Sequence, residues 1–113
     1  MTLYGIKNCD TVKKARKWLE QHQQQVTFHD FREDGLTATD IEYWVECVGW
    51  EALFNKRSTS FRNLTETEKS DLNQDKAINL MLTYPTLIKR PVLAKNDKVF
   101  VGFKPQQYQE IFL

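Results

Sequence analysis

The chain has 113 residues, 41% of them hydrophobic and 27% charged, which suits one folded domain with one core and excludes a disordered or long multidomain protein. Its net charge of +1 gives no general pull toward nucleic acid or an anionic membrane, so any anion site must be local. No apolar run approaches the ~20 residues that span a bilayer. Charge and polarity arrive already at Lys7 to Asp10, which does not fit a signal peptide, and the expected location is the cytoplasm.

The chain opens with Thr2 to Ile6, an alternating β-favouring stretch that predicts a first strand. From about Asp10 to about Gln24 the period becomes helical. Val12, Ala15, Trp18 and Leu19 share one face, and Lys13, Lys14, Arg16, Lys17 and Glu20 the other. Val26 to Phe31 alternates again and predicts a second strand. Strand, helix and strand in that order imply parallel pairing through a right-handed crossover.

Arg32 to Leu36 reads as a charged loop. Thr37 and Thr39 are candidate helix caps, and Thr39 with Glu42 fits a capping box ahead of the apolar stripe Ile41, Trp44, Val45 and Val48. Gly49 is placed to stop that helix, and Trp50 to Phe54 allows one further turn. Asn55 to Asn63 reads as a basic, hydroxyl-rich loop. Thr65 to Glu68 offers another capping box, and a helix continues through Ala77, Ile78, Leu80, Met81 and Leu82 until Pro85 ends it. Leu87 to Lys95 leads into a strand, Asn96-Asp97 turns, and Val99 to Phe103 returns, which makes a β-hairpin. Pro105 to Leu113 closes as a short helix with Tyr108, Ile111 and Phe112 facing in. The order is β-α-β, a helical middle of about 37–85, then β-β-α. It predicts a single α/β domain over 1–113, a thioredoxin-like mixed sheet flanked by helices with a helical insertion.

Two cysteines, Cys9 and Cys47, do not make a disulfide framework in a reducing compartment. With the scattered His22 and His29 they do not make a zinc motif either, so no metal is expected. Cys9 falls at the start of the first helix, where backbone N–H groups and the helix dipole favour the thiolate, the reacting form. Its neighbours Lys7, Asn8, Asp10 and Thr11 are not core-like, so a nucleophile is favoured over a packed thiol. Lys7 is expected to add positive potential there. Asp10 opposes it as a like charge or else caps the helix, and Thr11 can donate to the sulfur or simply face solvent. Position three after Cys9 is Val12, so no C-x-x-C exists and a resolving thiol must come from elsewhere. Cys47 reads as a packed or half-exposed structural thiol. By spacing alone, Arg57 and Arg90 are solvated surface arginines, and Pro91 is an ordinary trans proline opening a strand.

Four segments alter that last reading. Leu3-Tyr4-Gly5-Ile6-Lys7-Asn8-Cys9-Asp10-Thr11-Val12-Lys13-Lys14-Ala15, Asn55-Lys56-Arg57-Ser58-Thr59, Lys89-Arg90-Pro91-Val92 and Val101-Gly102-Phe103 together resemble the ArsC/Spx/YffB family, and within it the YffB branch. The resemblance implies a thioredoxin-like fold. It matches Cys9 to the nucleophile of arsenate reductases in this family, and Arg57 and Arg90 to arginines that hold the oxyanion. It implies a cis peptide at Pro91 beside the thiol, with Asn8 and Thr11 in the same anion or glutathione site. Two positions depart from the arsenate reductases: Gly5 stands where they have a histidine, and Gly102-Phe103-Lys104 offers only Lys104 where they have a third arginine.

The function these residues imply is a thiol-dependent oxidoreductase of the ArsC type, with glutathione as co-substrate rather than a bound cofactor, and glutaredoxin as a further partner. A second reading is a Spx-like regulator that docks on RNA polymerase or another protein without catalysis. Neither reading involves direct contact with nucleic acid or a membrane.

Overall fold

The computed structural model describes every residue from Met1 to Leu113. Its elements are β1 (Thr2–Gly5), α1 (Asp10–Gln21), β2 (Thr27–Asp30), α2 (Ala38–Val48), α3 (Trp50–Leu53), α4 (Thr59–Arg62), α5 (Glu66–Lys69), α6 (Gln74–Thr83), β3 (Val92–Lys95), β4 (Lys98–Val101) and α7 (Pro105–Phe112), with a 3-10 turn at Pro85–Leu87. They group into two compact units, residues 1–35 with 90–113, and residues 36–89. No helix is long and apolar enough to cross a membrane.

The first unit is a mixed four-stranded sheet in the order β2-β1-β3-β4, with β1 and β2 parallel and the other pairs antiparallel. Its register explains its core. Leu3 pairs with Phe28 on one side and Leu93 on the other, and Leu93 pairs with Phe100, so one apolar row crosses all four strands on one face. Ala15, Trp18 and Leu19 of α1 and Tyr108 of α7 pack on that row. The helical face read from the sequence is the buried one: Val12, Ala15, Trp18 and Leu19. The helix ends sooner than its pattern, at Gln21, because His22 and Gln23 turn the chain back and Gln23 takes a φ of +56°.

The second unit, the helical insertion, has its own core. α2 buries Ile41, Trp44 and Val45, and α6 buries Ala77, Ile78, Leu80 and Met81. Residues 53–55 run antiparallel to 87–89: the Asn55 N–H donates to the Leu87 carbonyl at 2.7 Å, and the Lys89 N–H to the Leu53 carbonyl at 2.8 Å. Three details differ from the sequence reading. The α2 capping box is Thr37 with Asp40, not Thr39 with Glu42; Thr39 already lies inside the helix. The polar stretch 55–63 is not all loop, since the Ser58 hydroxyl accepts from the Phe61 N–H at 3.1 Å and starts α4. The helix read through to Pro85 is broken, because α5 stops at Lys69 and Asn73 caps a new helix, α6. Gly49 does stop α2, with a φ of +85° that only glycine adopts freely.

Candidate functional site

One end of the four-stranded sheet gathers the segments of interest. Gly5 lies opposite Asp30, Tyr4 opposite Val92, and Val92 opposite Val101. The Gly102 N–H donates to the Pro91 carbonyl at 2.9 Å. The β1–α1 turn with Asn8 and Cys9, the loop after β2, the Arg90-Pro91 pair and the Gly102-Phe103-Lys104 segment therefore leave the sheet at the same end. The Arg90–Pro91 peptide is cis, as the resemblance implies. Pro91 is buried and Arg90 half-buried.

Cys9 is the N-cap residue of α1, with extended φ and ψ of −136° and 122°. Its carbonyl accepts from the Lys13 N–H at 2.9 Å, so its backbone starts the helix. Its sulfur makes no capping hydrogen bond and is half-exposed. Asp10 is therefore the first helical residue rather than the cap, and it contributes an acidic group to the first turn. Asn8 and Thr11 are exposed on either side of the thiol in sequence. Lys7 differs from expectation. Its ammonium is 2.7 Å from the Glu33 carboxylate, and that hydrogen bond and charge hold its pKa above the ordinary lysine value. The charge partner of this cation is thus a carboxylate of the loop after β2.

The residue that sequence reasoning missed is Asp30, the buried charged side chain at the end of β2. Its Oδ2 accepts from the Lys7 N–H at 2.9 Å, and its Oδ1 from the N–H groups of Arg32 at 2.7 Å and Glu33 at 3.1 Å. Burial by itself would raise its pKa; the backbone donors outweigh burial and hold the carboxyl below the ordinary aspartate value. A signal was present: an aspartate closing a strand ahead of Arg32-Glu33-Asp34-Gly35 is placed to bond backbone N–H groups two and three residues on.

The other named residues belong to other segments of the chain. Arg57 belongs to the second unit, exposed in the turn before α4, and its own N–H donates to Asn55 Oδ1 at 3.1 Å. Cys47 is exposed on α2 rather than packed. His22 stacks on Trp18 with ring centroids 3.7 Å apart, and His29 Nε2 lies 2.6 Å from the Gly35 carbonyl. No group of three or more His, Cys, Asp or Glu side chains is arranged to hold a metal ion.

A mixed sheet of this order, flanked by helices and carrying a cysteine at the β1–α1 turn and a cis proline before β3, defines a thioredoxin-like α/β protein with a helical insertion. The ArsC family profile matches residues 4–111, and the chain belongs to that family. An uncharacterized protein of Haemophilus influenzae is 46% identical over 99% of this chain and 98% of its own length. A solved structure described as YFFB protein is 46% identical with a TM-score of 0.93, covering 96% of each chain. The solution structure of an arsenate reductase (ArsC) related protein from Brucella melitensis is 49% identical with a TM-score of 0.80, covering 98% of this chain and 92% of that one. More distant relatives carry regulator names: the Regulatory protein MgsR of Bacillus subtilis is 28% identical over 93% of this chain and 84% of its own length.

Proposed function

We propose that the protein is a thiol oxidoreductase in which Cys9 alone acts as nucleophile and glutathione is co-substrate. The reading rests on one observation above the others: an uncommitted, half-exposed sulfur at a helix N-cap, on the same sheet end as Arg90 and a cis proline. In the reaction the Cys9 thiolate attacks a sulfur of a glutathione mixed disulfide. A new Cys9–glutathione S–S bond forms, and the other thiol leaves as thiolate. A second glutathione thiolate then attacks that adduct, releases glutathione disulfide and returns Cys9 to the reduced state. The net exchange converts the mixed disulfide and one free glutathione into the substrate thiol and glutathione disulfide, so one free glutathione is consumed in each turnover.

Arg90 and Arg57 are assigned to the anionic groups of the substrate, since a guanidinium fork matches a carboxylate or an oxyanion. Asn8 and Thr11 offer polar contacts beside the thiol, and Pro91 shapes its border. Glutaredoxin is an alternative electron donor, and the cytoplasm, where thiols stay reduced, is the compartment this chemistry fits. The experiment is incubation of the reduced protein with glutathione disulfide, followed by mass spectrometry. One glutathione on Cys9, removed again by free glutathione, supports the reading; an unmodified Cys9 ends it.

A second reading is favoured by the regulator names among the relatives. In it the protein docks on RNA polymerase or another protein and Cys9 chemistry is dispensable. A stoichiometric complex with polymerase subunits that survives Cys9→Ser would select this reading over the first.

A further inference from the structure

We infer that Asp30 is a positioning residue for the Cys9 thiol: its buried carboxylate ties the backbone two residues before Cys9 to the loop that follows β2. This rests on Cys9 being the reactive group, as proposed above.

A carboxylate taken out of water is costly unless its oxygens are hydrogen-bonded. Asp30 is 3% exposed, and its bonds divide between two loops. Oδ1 takes the N–H groups of Arg32 and Glu33, which closes its own turn. Oδ2 takes the Lys7 N–H, which belongs to the Cys9 turn. One oxygen suffices for the local turn, and an asparagine carbonyl would serve there equally. The second oxygen is what requires an aspartate, and it serves only the segment leading to the thiol. Around it, the Phe31 N–H donates to the Gly5 carbonyl at 2.8 Å, and the Asp30 N–H donates to Asp34 Oδ2 at 2.9 Å. The Lys7–Glu33 ion pair also spans the two loops, but at the surface, where water screens it and such a pair adds little. The loop that presents Cys9 is thus fixed through a neighbouring loop that carries no reacting group.

The test compares Asp30→Asn, Asp30→Ala and Glu33→Gln with the parent. Asn keeps an acceptor for Arg32 and Glu33 but turns an N–H₂ toward the Lys7 N–H. Its melting temperature is expected to stay near the parent's while the glutathione adduct on Cys9 forms about tenfold more slowly, since small misplacements of a reacting group cost rate steeply. The Lys7 amide resonance is expected to move upfield. Ala is expected to lose both stability and rate, and Glu33→Gln to lose neither. A parent-like rate in Asp30→Asn, or an unmoved Lys7 amide, overturns the inference. So does rapid hydrogen exchange of the Lys7 amide in the unaltered protein, a reading that needs no variant. If the parent forms no adduct at all, the proposed function fails instead. The position of Cys9 is then read from its alkylation by iodoacetamide relative to Cys47 in the same molecule, and no change in that ratio in Asp30→Asn overturns the inference separately.

Discussion

A Cβ placed on Gly5 would lie 2.8 Å from Cγ2 of Val12, closer than two carbons can approach. Gly5 ends β1, and Val12 is buried in the first turn of α1. The pair therefore sets how closely the strand and the helix meet on either side of Cys9. It also bears on one departure from the arsenate reductases that the sequence shows, Gly5 in place of their histidine. With Val12 packed where it is, a side chain at position 5 has no room unless Val12 shifts.

Gly5→Ala is accordingly expected to destabilise the protein by about 1–3 kcal/mol, the usual cost of overpacking. The double variant Gly5→Ala/Val12→Ala should lose less than the two single losses added together, because removing the valine methyls opens the space. Urea unfolding of the four proteins measures this. Strict additivity would mean that the two positions do not compete.

The anion-binding assignment separates the arginines. Arg90→Ala is expected to slow glutathione adduct formation at Cys9 about tenfold, as loss of a charge-assisted contact would. Arg62→Ala, on the exposed last turn of α4, should leave the rate unchanged. Cys9→Ser should abolish the adduct and Cys47→Ser should not. Equal slowing by both arginine variants would show that general positive potential, not Arg90, holds the substrate.

Asp30 gives stability a definite acid dependence. Its folded pKa lies below the value of 3.8 that it has when unperturbed. A depressed carboxyl contributes stability that is fully present above the unfolded value and is lost as pH falls through the folded one. The unfolding free energy of the parent is expected to drop on acidification below about pH 4, the range where free aspartate takes up its proton. Asp30→Asn should flatten that limb. Identical acid slopes in the two proteins would mean that the carboxylate is not ionised in its loop.

Tyr108 supplies a prediction of opposite sign. It is fully buried, its hydroxyl has no hydrogen-bond partner, and burial pushes its pKa well above the ordinary tyrosine value. Removing an unpaired buried hydroxyl recovers desolvation free energy, so Tyr108→Phe is expected to be neutral or to stabilise by about 1 kcal/mol. Its ring contacts with Trp18 and Phe103, at 5.5 and 4.7 Å, are retained. Thermal unfolding checks it, and a clearly lowered melting temperature would show that the hydroxyl is partnered in solution.

At the centre of the sheet, Leu3→Ala removes a fully buried side chain from the row Phe28–Leu3–Leu93–Phe100. The expected loss is about 2–5 kcal/mol, the range for large-to-small changes in a core. A loss under 1 kcal/mol, read by denaturant titration, would mean that the row does not carry the packing.

What the sequence by itself determined was local. Period and turn chemistry placed the strands, the buried face of α1, the Gly49 stop and the cysteine at a helix start, because each is fixed by neighbours three or four residues away. Where two local signals competed, the structure shows which one formed: Thr37 with Asp40 is the cap rather than Thr39 with Glu42, and Asn73, accepting from the Lys76 N–H, starts a new helix where the pattern ran on. The resemblance supplied Arg57, Arg90 and the cis peptide at Pro91, which no spacing implies. The tertiary structure alone decided that Arg90-Pro91 leaves the sheet at the Cys9 end, since strand order sets that and strand order is not written in any one segment. It alone decided that Lys7 pairs with Glu33, and that Asp30, whose place before Arg32-Glu33 marked only its local turn, also bonds the backbone that leads to Cys9. A buried carboxylate acts through groups far away along the chain, and only the folded register brings them within hydrogen-bond distance.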